Sequence, residues 1–401
     1  MTELYTHLKA QAFELRDELI ARRRDFHQHP ELAFEEIRTS GIVARELSEL
    51  GFEVQSGVGK TGVIGILEGA HDGPTVLLRA DMDALPIIEE NETEFMSQSA
   101  GKMHACGHDG HTSIALGVAK LLSQHRDQMA GRVKFVFQPA EEIARGAAAM
   151  VSDGALTHPQ PDVTVGLHLW NSLPYGTLGV ASGPVMASAS NFTVKITGKG
   201  GHAASPHVSI DPIVCAAQMI TLLQTIVSRN VDPFETAVVS VAQVRAGDAH
   251  NIIPQFAEMV GTIRTFRLSV RDQVVQRFQE IVENTAKACG CIGEVSFTHL
   301  TKPVINHDEV SARLRDLFKQ VEPSLVLDQT VRTMGAEDVS EFMADIPGMY
   351  FFLGAADQTQ DAYYGHHHPR FSFDEAALPL GVALLSSAVA SYVLPDGGAN
   401  A

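Results

Sequence analysis

Five short, nearly unbroken apolar runs constrain this chain most: GVIGILEG at 62–69, TVLLRAD at 75–81, RVKFVFQP at 132–139, VTVGLHL at 163–169 and MYFFLG at 349–354. Each is too short for a core helix, and each is apolar at successive positions. Only a strand covered on both faces of its sheet can bury such a run. Helical patterns separate them, at 2–26 (with Leu8, Ala12, Leu15 and Leu19 spaced by three and four), 111–122, 141–151, 308–320 and 378–393. The alternation predicts an α/β sheet with helices on both faces.

The pattern changes near residue 187. NFTVKITGKG (191–200) alternates as a half-buried strand does, and a helical segment follows at 210–227. Strands at 235–247 and 256–267, a helix at 269–289 and a strand at 294–300 complete a β-α-β-β-α-β order, that of a ferredoxin-like unit. The expected organisation is one α/β domain in two pieces, 1–186 and 303–401, interrupted by a smaller α+β domain at 187–302.

The 401 residues carry a formal charge of −18, which argues against nucleic acid as a partner because phosphate binding needs a basic face. The one basic cluster, Arg22-Arg23-Arg24, sits among acids on a helix and reads as a solvated face. No apolar run reaches the roughly 18 residues of a membrane span. The first 26 residues are charged throughout, unlike a signal peptide, so a cytoplasmic protein with no membrane partner is expected. Of four cysteines, Cys215 lies in an apolar segment and reads as a small buried hydrophobe. Cys289 and Cys291 are too close for an unstrained disulfide, and no secreted disulfide framework is present. Cys106 differs: it lies in MHACGHDGH (103–111), between His104 and His108.

Ligands of open α/β sheets bind beyond the carboxyl ends of the strands. The segments after the predicted strands here supply Asp81 and Asp83, then Glu141 and Glu142, then His366-His367-His368, while His168 ends its own strand. MHACGHDGH precedes a helix expected on the same sheet. Five separate segments thus bring Asp, Glu, His and Cys to one rim, as a metal centre requires. Adjacent glutamates also divide a hydrolytic task. One carboxylate can bind metal while its neighbour faces the water to be activated and takes its proton.

The motifs DFHQHPELAFEE, RADMDALPI, MHACGHDGHT, QPAEE, GLHLW, GGHAASPH, NIIP, GTIR, GAED and HHHPRFSFDE occur in this order. The set resembles the M20-type metallopeptidase superfamily, in its aminoacylase/hippurate-hydrolase branch that includes auxin-conjugate hydrolases, from about residue 10 to 395. The resemblance implies a mixed-sheet di-metal hydrolase domain with an inserted ferredoxin-like lid and dimerisation domain, and a homodimer. It implies an N-acyl amino acid as small-molecule substrate. It implies two divalent metal ions per subunit, held by Cys106, His108, Glu142, His168 and His367, with Cys106 bridging and Glu141 as general base. Manganese is favoured; Zn, Co and Ni suit the same donors. Where the wider superfamily has His-x-Asp, this chain has Asp81-x-Asp83, so both aspartates are expected to orient ligands, with Asp109 and His111 expected either to support ligands likewise or to cap the helix. His202 is expected to polarise the scissile carbonyl in the partner subunit's site, and Asn251 and Arg264 to hold the substrate carboxylate. Ile143-Ala144-Arg145 departs from the glycines the family pattern has after QPAEE.

Overall fold

A computed structural model of the chain describes residues 2–357 and 363–394. The chain folds into two compact units, one of residues 1–183, 305–332 and 338–401, the other of 184–304 with 333–337.

The first unit starts with α1 (Thr2–Glu14) and α2 (Arg16–Gln28), then α3 (Ile37–Glu49), β1 (Glu53–Val58), β2 (Gly62–Glu68) and β3 (His71–Asp81). Next come α4 (His108–Ser123), β4 (Ala130–Gln138), α5 (Gly146–Ser152), β5 (Val163–Trp170) and β6 (Thr177–Gly179). The second unit supplies β7 (Ser188–Thr197), α6 (Pro212–Thr225), β8 (Ala237–Ala246), β9 (Phe256–Thr265), α7 (Leu268–Ala288) and β10 (Ile292–Thr301). The chain then returns to the first unit with α8 (Asp308–Val321), β11 (Val326–Asp328), β12 (Gly348–Gly354) and α9 (Ala377–Val393).

In the first unit an eight-stranded mixed sheet runs β1-β2-β4-β3-β5-β12-β6-β11. Its centre, β4-β3-β5-β12, is parallel, and β1 and β2 extend it antiparallel. The five apolar runs are five neighbouring strands of this sheet, and β12 is buried at every position. Helix α9, apolar on all sides, is buried along nearly its whole length. Such a helix belongs in an interior.

The helices differ from expectation in three places, and Arg23 of the expected solvated cluster is buried. The single helix over 2–26 is two, broken at Leu15, whose amide bonds to the Ala12 carbonyl three residues back. Helix α3 was not expected; Thr39, Val43 and Leu47 bury one stripe of it, but Ser40 and Gly41 thin the apolar pattern. The helix expected from Glu141 begins only at Gly146, because Ala140 and Ala144 take left-handed backbone (φ 52° and 53°), which a helix cannot contain.

The second unit is a four-stranded antiparallel sheet, β8-β9-β7-β10, with α6 and α7 packed on it. Its core gathers Phe192, Val194 and Ile196 from β7, Met219 and Leu223 from α6, and Val274, Phe278 and Val282 from α7. Asp211 caps α6 by accepting from the amides of Ile213 and Val214, and Pro212 fits the first turn. By length and composition, the segment Pro212–Asn230 is the one helix among the described residues that could cross a membrane, yet Cys215, Met219, Leu223 and Ile226 bury one side of it in this core.

Candidate metal centre

Parallel strands β3, β4 and β5 end on the same rim, and their last residues lead directly into the site. The first turn of α4 adds His108, with Cys106 two residues before it. Ligand atoms of Cys106, His108 and His168 lie within 4.8 Å of one another, as do those of Cys106, Glu142 and His367, and those of His108, Glu141 and Glu142. Shared members make these one connected set, so the five expected ligands and the expected base converge in the first unit.

Two of the three imidazoles are fixed by their second nitrogen. His108 Nδ1 donates to the Asp83 carbonyl (2.9 Å), and His168 Nδ1 donates to the Leu169 carbonyl (2.7 Å). Both Nε2 atoms therefore face the set, His168 Nε2 at 3.6 Å from Cys106 Sγ. His108 Nε2 lies 3.9 Å from Glu142 Oε1 and 4.0 Å from Glu141 Oε2. His367, on left-handed backbone (φ 67°), is anchored by its amide to the Ala105 carbonyl and brings Nε2 to 3.2 Å from Glu142 Oε2.

The donors fit divalent cations. Thiol, imidazole and carboxylate together suit borderline transition metals. His108 Nε2 and Glu142 Oε1 are buried with no hydrogen-bond partner among the described residues. Leaving such an atom unmatched costs about 1–3 kcal/mol, which a coordinated ion would relieve. The protonation pattern points the same way. Contacts with Cys106 and Glu142 push His367 up to about 10. Burial depresses His108, but the Asp81 carboxylate and the hydrogen bond to Asp83 outweigh it and raise its pKa well above the ordinary value. Burial, reinforced by His111 and His366, keeps His168 neutral with its lone pair available. Burial and Glu142 push the Cys106 thiol up. The carboxylates around His108 and His367 thus draw positive charge to this place, the charge that metal ions carry.

The supporting residues divide. Asp83 accepts from the amides of both Glu141 and Glu142 at 3.0 Å, while its carbonyl fixes His108. His111 donates from Nδ1 to Asp81 (2.6 Å), accepts the Leu169 amide at Nε2, and packs edge-on to His168. Asp81 is fully buried; against the cost of burial, Arg79, His108 and His111 hold its carboxyl well below the usual range. Asp109 is directed elsewhere. Its carboxylate contacts Arg23 (2.8 Å), His27 (2.8 Å) and the Gly110 amide in the first turn of α4 (2.9 Å) rather than any of the five ligands.

Residues outside the expected set also matter. Fully buried Arg79 links Asp81 to Gln138, Tyr350 and Asp338. Its signal was visible: a charge inside a buried strand, LLRAD. Asp338, in GAED, accepts from Gln138 (2.6 Å) and from the Ala147 amide (3.0 Å). His366 donates to the same Leu169 carbonyl as His168 and packs against Trp170. His104 is buried with neither ring nitrogen partnered among the described residues, and burial lowers its pKa to about 4.

In the second unit, His202 is exposed and pairs across a two-residue ladder with Ile252, which sets it beside Asn251, whose carbonyl accepts the Ala203 amide. Gly200 permits this ladder, since a Cβ there would meet the Ile253 carbonyl oxygen at 2.9 Å. Arg264 is half-buried on β9, where it bonds Thr262 and the Ile263 carbonyl.

Residues 77–391 match the model of peptidase family M20/M25/M40. The chain belongs to this family. It is 40% identical over 364 residues to the N-acetyl-L-cysteine deacetylase of Bacillus subtilis, covering 91% of this chain and 85% of that one. It is 47% identical over 301 residues to the N-acyl-L-amino acid amidohydrolase of Geobacillus stearothermophilus, covering 75% and 81%. Among solved structures, the Bacillus subtilis YXEP protein, described as a dinuclear metal binding peptidase of the M20 family, aligns with TM-score 0.80 at 36% identity, covering 93% of this chain and 97% of that one. The chain is thus an M20-family hydrolase with the mixed α/β sheet of these metal-binding peptidases.

Proposed function

We propose that this hydrolase cleaves the amide bond of N-acyl amino acids of the acetyl or benzoyl type, releasing a carboxylic acid and a free amino acid. The carrying observation is the turn at Glu141-Glu142. Glu142 faces the ligand set through both oxygens, at 3.9 Å from His108 and 3.2 Å from His367, while Glu141 stands beside it at 4.0 Å from His108. Two divalent cations held by Cys106, His108, Glu142, His168 and His367 would acidify a water and polarise the amide carbonyl, manganese being favoured. Glu141 takes the proton of that water as it attacks the carbonyl carbon, and returns it to the amide nitrogen as the C–N bond breaks. Asp83 holds Glu141 and Glu142 in register during both transfers. His202, from the partner subunit of a homodimer, donates to the developing oxyanion, and Asn251 and the planar Arg264 fork hold the substrate carboxylate. Apolar side chains on the outer side of the 212–230 helix support dimerisation through the second unit: Ile213, Val214, Leu222 and Val227 are 39–52% exposed.

The names of the two curated relatives favour acylated amino acids; the description of the solved relative favours a peptidase. Amino-acid release from metal-stripped enzyme, with and without Mn²⁺, separates the two. The panel holds N-benzoyl-glycine, several N-acetyl-L-amino acids, an indole-acetyl amino acid and an unblocked dipeptide. Metal-dependent release from the N-acylated compounds, with the dipeptide untouched, is expected. Turnover of the dipeptide alone would make the enzyme a peptidase.

A further inference from the structure

The turn that carries the base and a ligand is gripped at three successive amides. Asp83 takes those of Glu141 and Glu142, one oxygen to each. The amide before them, Ala140 N–H, is taken at 2.8 Å by Oε1 of Glu36. Glu36 comes from the loop leading into α3, over a hundred positions earlier, and is 0% exposed. Its other oxygen accepts the Thr61 hydroxyl at 2.5 Å, and no cation pairs with it among the described residues. A buried carboxylate without a counter-ion is expensive, and an apolar side chain would fill the space at lower cost.

What Glu36 holds accounts for that cost. Ala140 has φ 52°, a backbone conformation that a residue with a side chain adopts only when its surroundings enforce it. The Ala140 carbonyl in turn receives the amides of Arg145 and Gly146, which closes the loop carrying Glu141 and Glu142. At the end of this loop a Cβ on Gly146 would lie 1.5 Å from the Pro139 oxygen, so the loop has no room to settle elsewhere. The bond to Glu36 fixes the Pro139–Ala140 peptide plane, and Asp83 fixes the next two, on either side of Glu141.

We propose that Glu36 is a positioning residue for the catalytic turn, setting the direction of Glu141 through the Ala140 amide. The proposal rests on the hydrolase reading above, in which Glu141 is the base. Glu36 bonds to none of the proposed ligands, and it reaches the turn through the Ala140 amide.

The test compares Glu36→Ala with Glu36→Gln in otherwise intact, metal-loaded protein. Gln keeps one carbonyl oxygen for the Ala140 amide and turns its NH₂ toward Thr61; Ala keeps nothing. Misplacing a catalytic group by about an ångström costs on the order of a hundredfold. Glu36→Ala should therefore lower kcat tenfold to a hundredfold with KM changed less than threefold and metal content unchanged, while Glu36→Gln stays within about threefold of the parent. Hydrogen exchange supplies a readout independent of turnover: amides in the peptide spanning 139–146 should exchange faster in Glu36→Ala, with those of α4 and α9 unaltered. Undiminished kcat in Glu36→Ala, or loss of protection spread through the whole first unit, would overturn the proposal. If the parent enzyme cleaves no N-acyl amino acid, the hydrolase reading fails, and the exchange result still decides whether Glu36 holds the turn.

Discussion

At the scale of single residues, the site depends on groups that act through others. Asp83 fixes His108 by its carbonyl and the glutamate turn by its carboxylate. In Asp83→Asn one acceptor becomes a donor facing an amide N–H, so one grip is lost. Metal affinity, read by chelator competition, should fall about 10- to 100-fold. The clustering of the proposed ligands was readable because they are chemically conspicuous: thiol, imidazole and paired carboxylates after apolar strands. The supports were less readable. Glu36 looks like any acid before a helix, since only the fold reveals that it is fully buried against Ala140. Sequence proximity to His108 does not set Asp109 against the ligands: at the start of a helix, successive side chains point about 100° apart.

At the scale of elements, two features of the first unit make separate forecasts. Gly146 opens α5 where any side chain strikes the Pro139 carbonyl, so Gly146→Ala should lose at least about 2 kcal/mol in urea unfolding. Helix α2 is tied to α4 through His27, which meets Asp109 at 2.8 Å and Glu89 at 3.2 Å. Burial and Arg23 push the His27 pKa down, but the two carboxylates outweigh them and raise it above the ordinary 6.5. A raised folded-state value means that the protonated ring stabilises fully below about pH 6.5, and that this contribution fades as pH climbs through the raised value. The stability difference between the parent and His27→Gln should accordingly be larger at pH 6 than at pH 9. Equal differences would show that His27 carries no charge in the folded protein. The five central strands of the first unit were legible because buried strands must be apolar throughout. The start of α5 was not, because the left-handed backbone at Ala140, whose amide bonds to distant Glu36, and at Ala144 has no local signal in QPAEEIARG.

At the scale of the whole molecule, all five proposed metal ligands lie in the unit of residues 1–183, 305–332 and 338–401. Metal binding stabilises what it binds, by about 2.7 kcal/mol at a hundredfold excess over Kd. Added Mn²⁺ should therefore raise hydrogen-exchange protection in that unit and leave the core of β7 to β10 unchanged. Dimerisation should respond to the second unit instead: Val214→Asp, an exposed position on α6, should shift the sedimentation equilibrium toward monomer. The central claim is that a metal centre and Glu141 act together as separate parts of one hydrolytic device. It is tested most directly by measuring bound metal and turnover of an N-acetyl amino acid on the same samples of the parent and Glu141→Gln. The expected result is two metal ions per chain in both, with turnover in the variant lower by roughly 100- to 10,000-fold. Full turnover in Glu141→Gln would contradict the account.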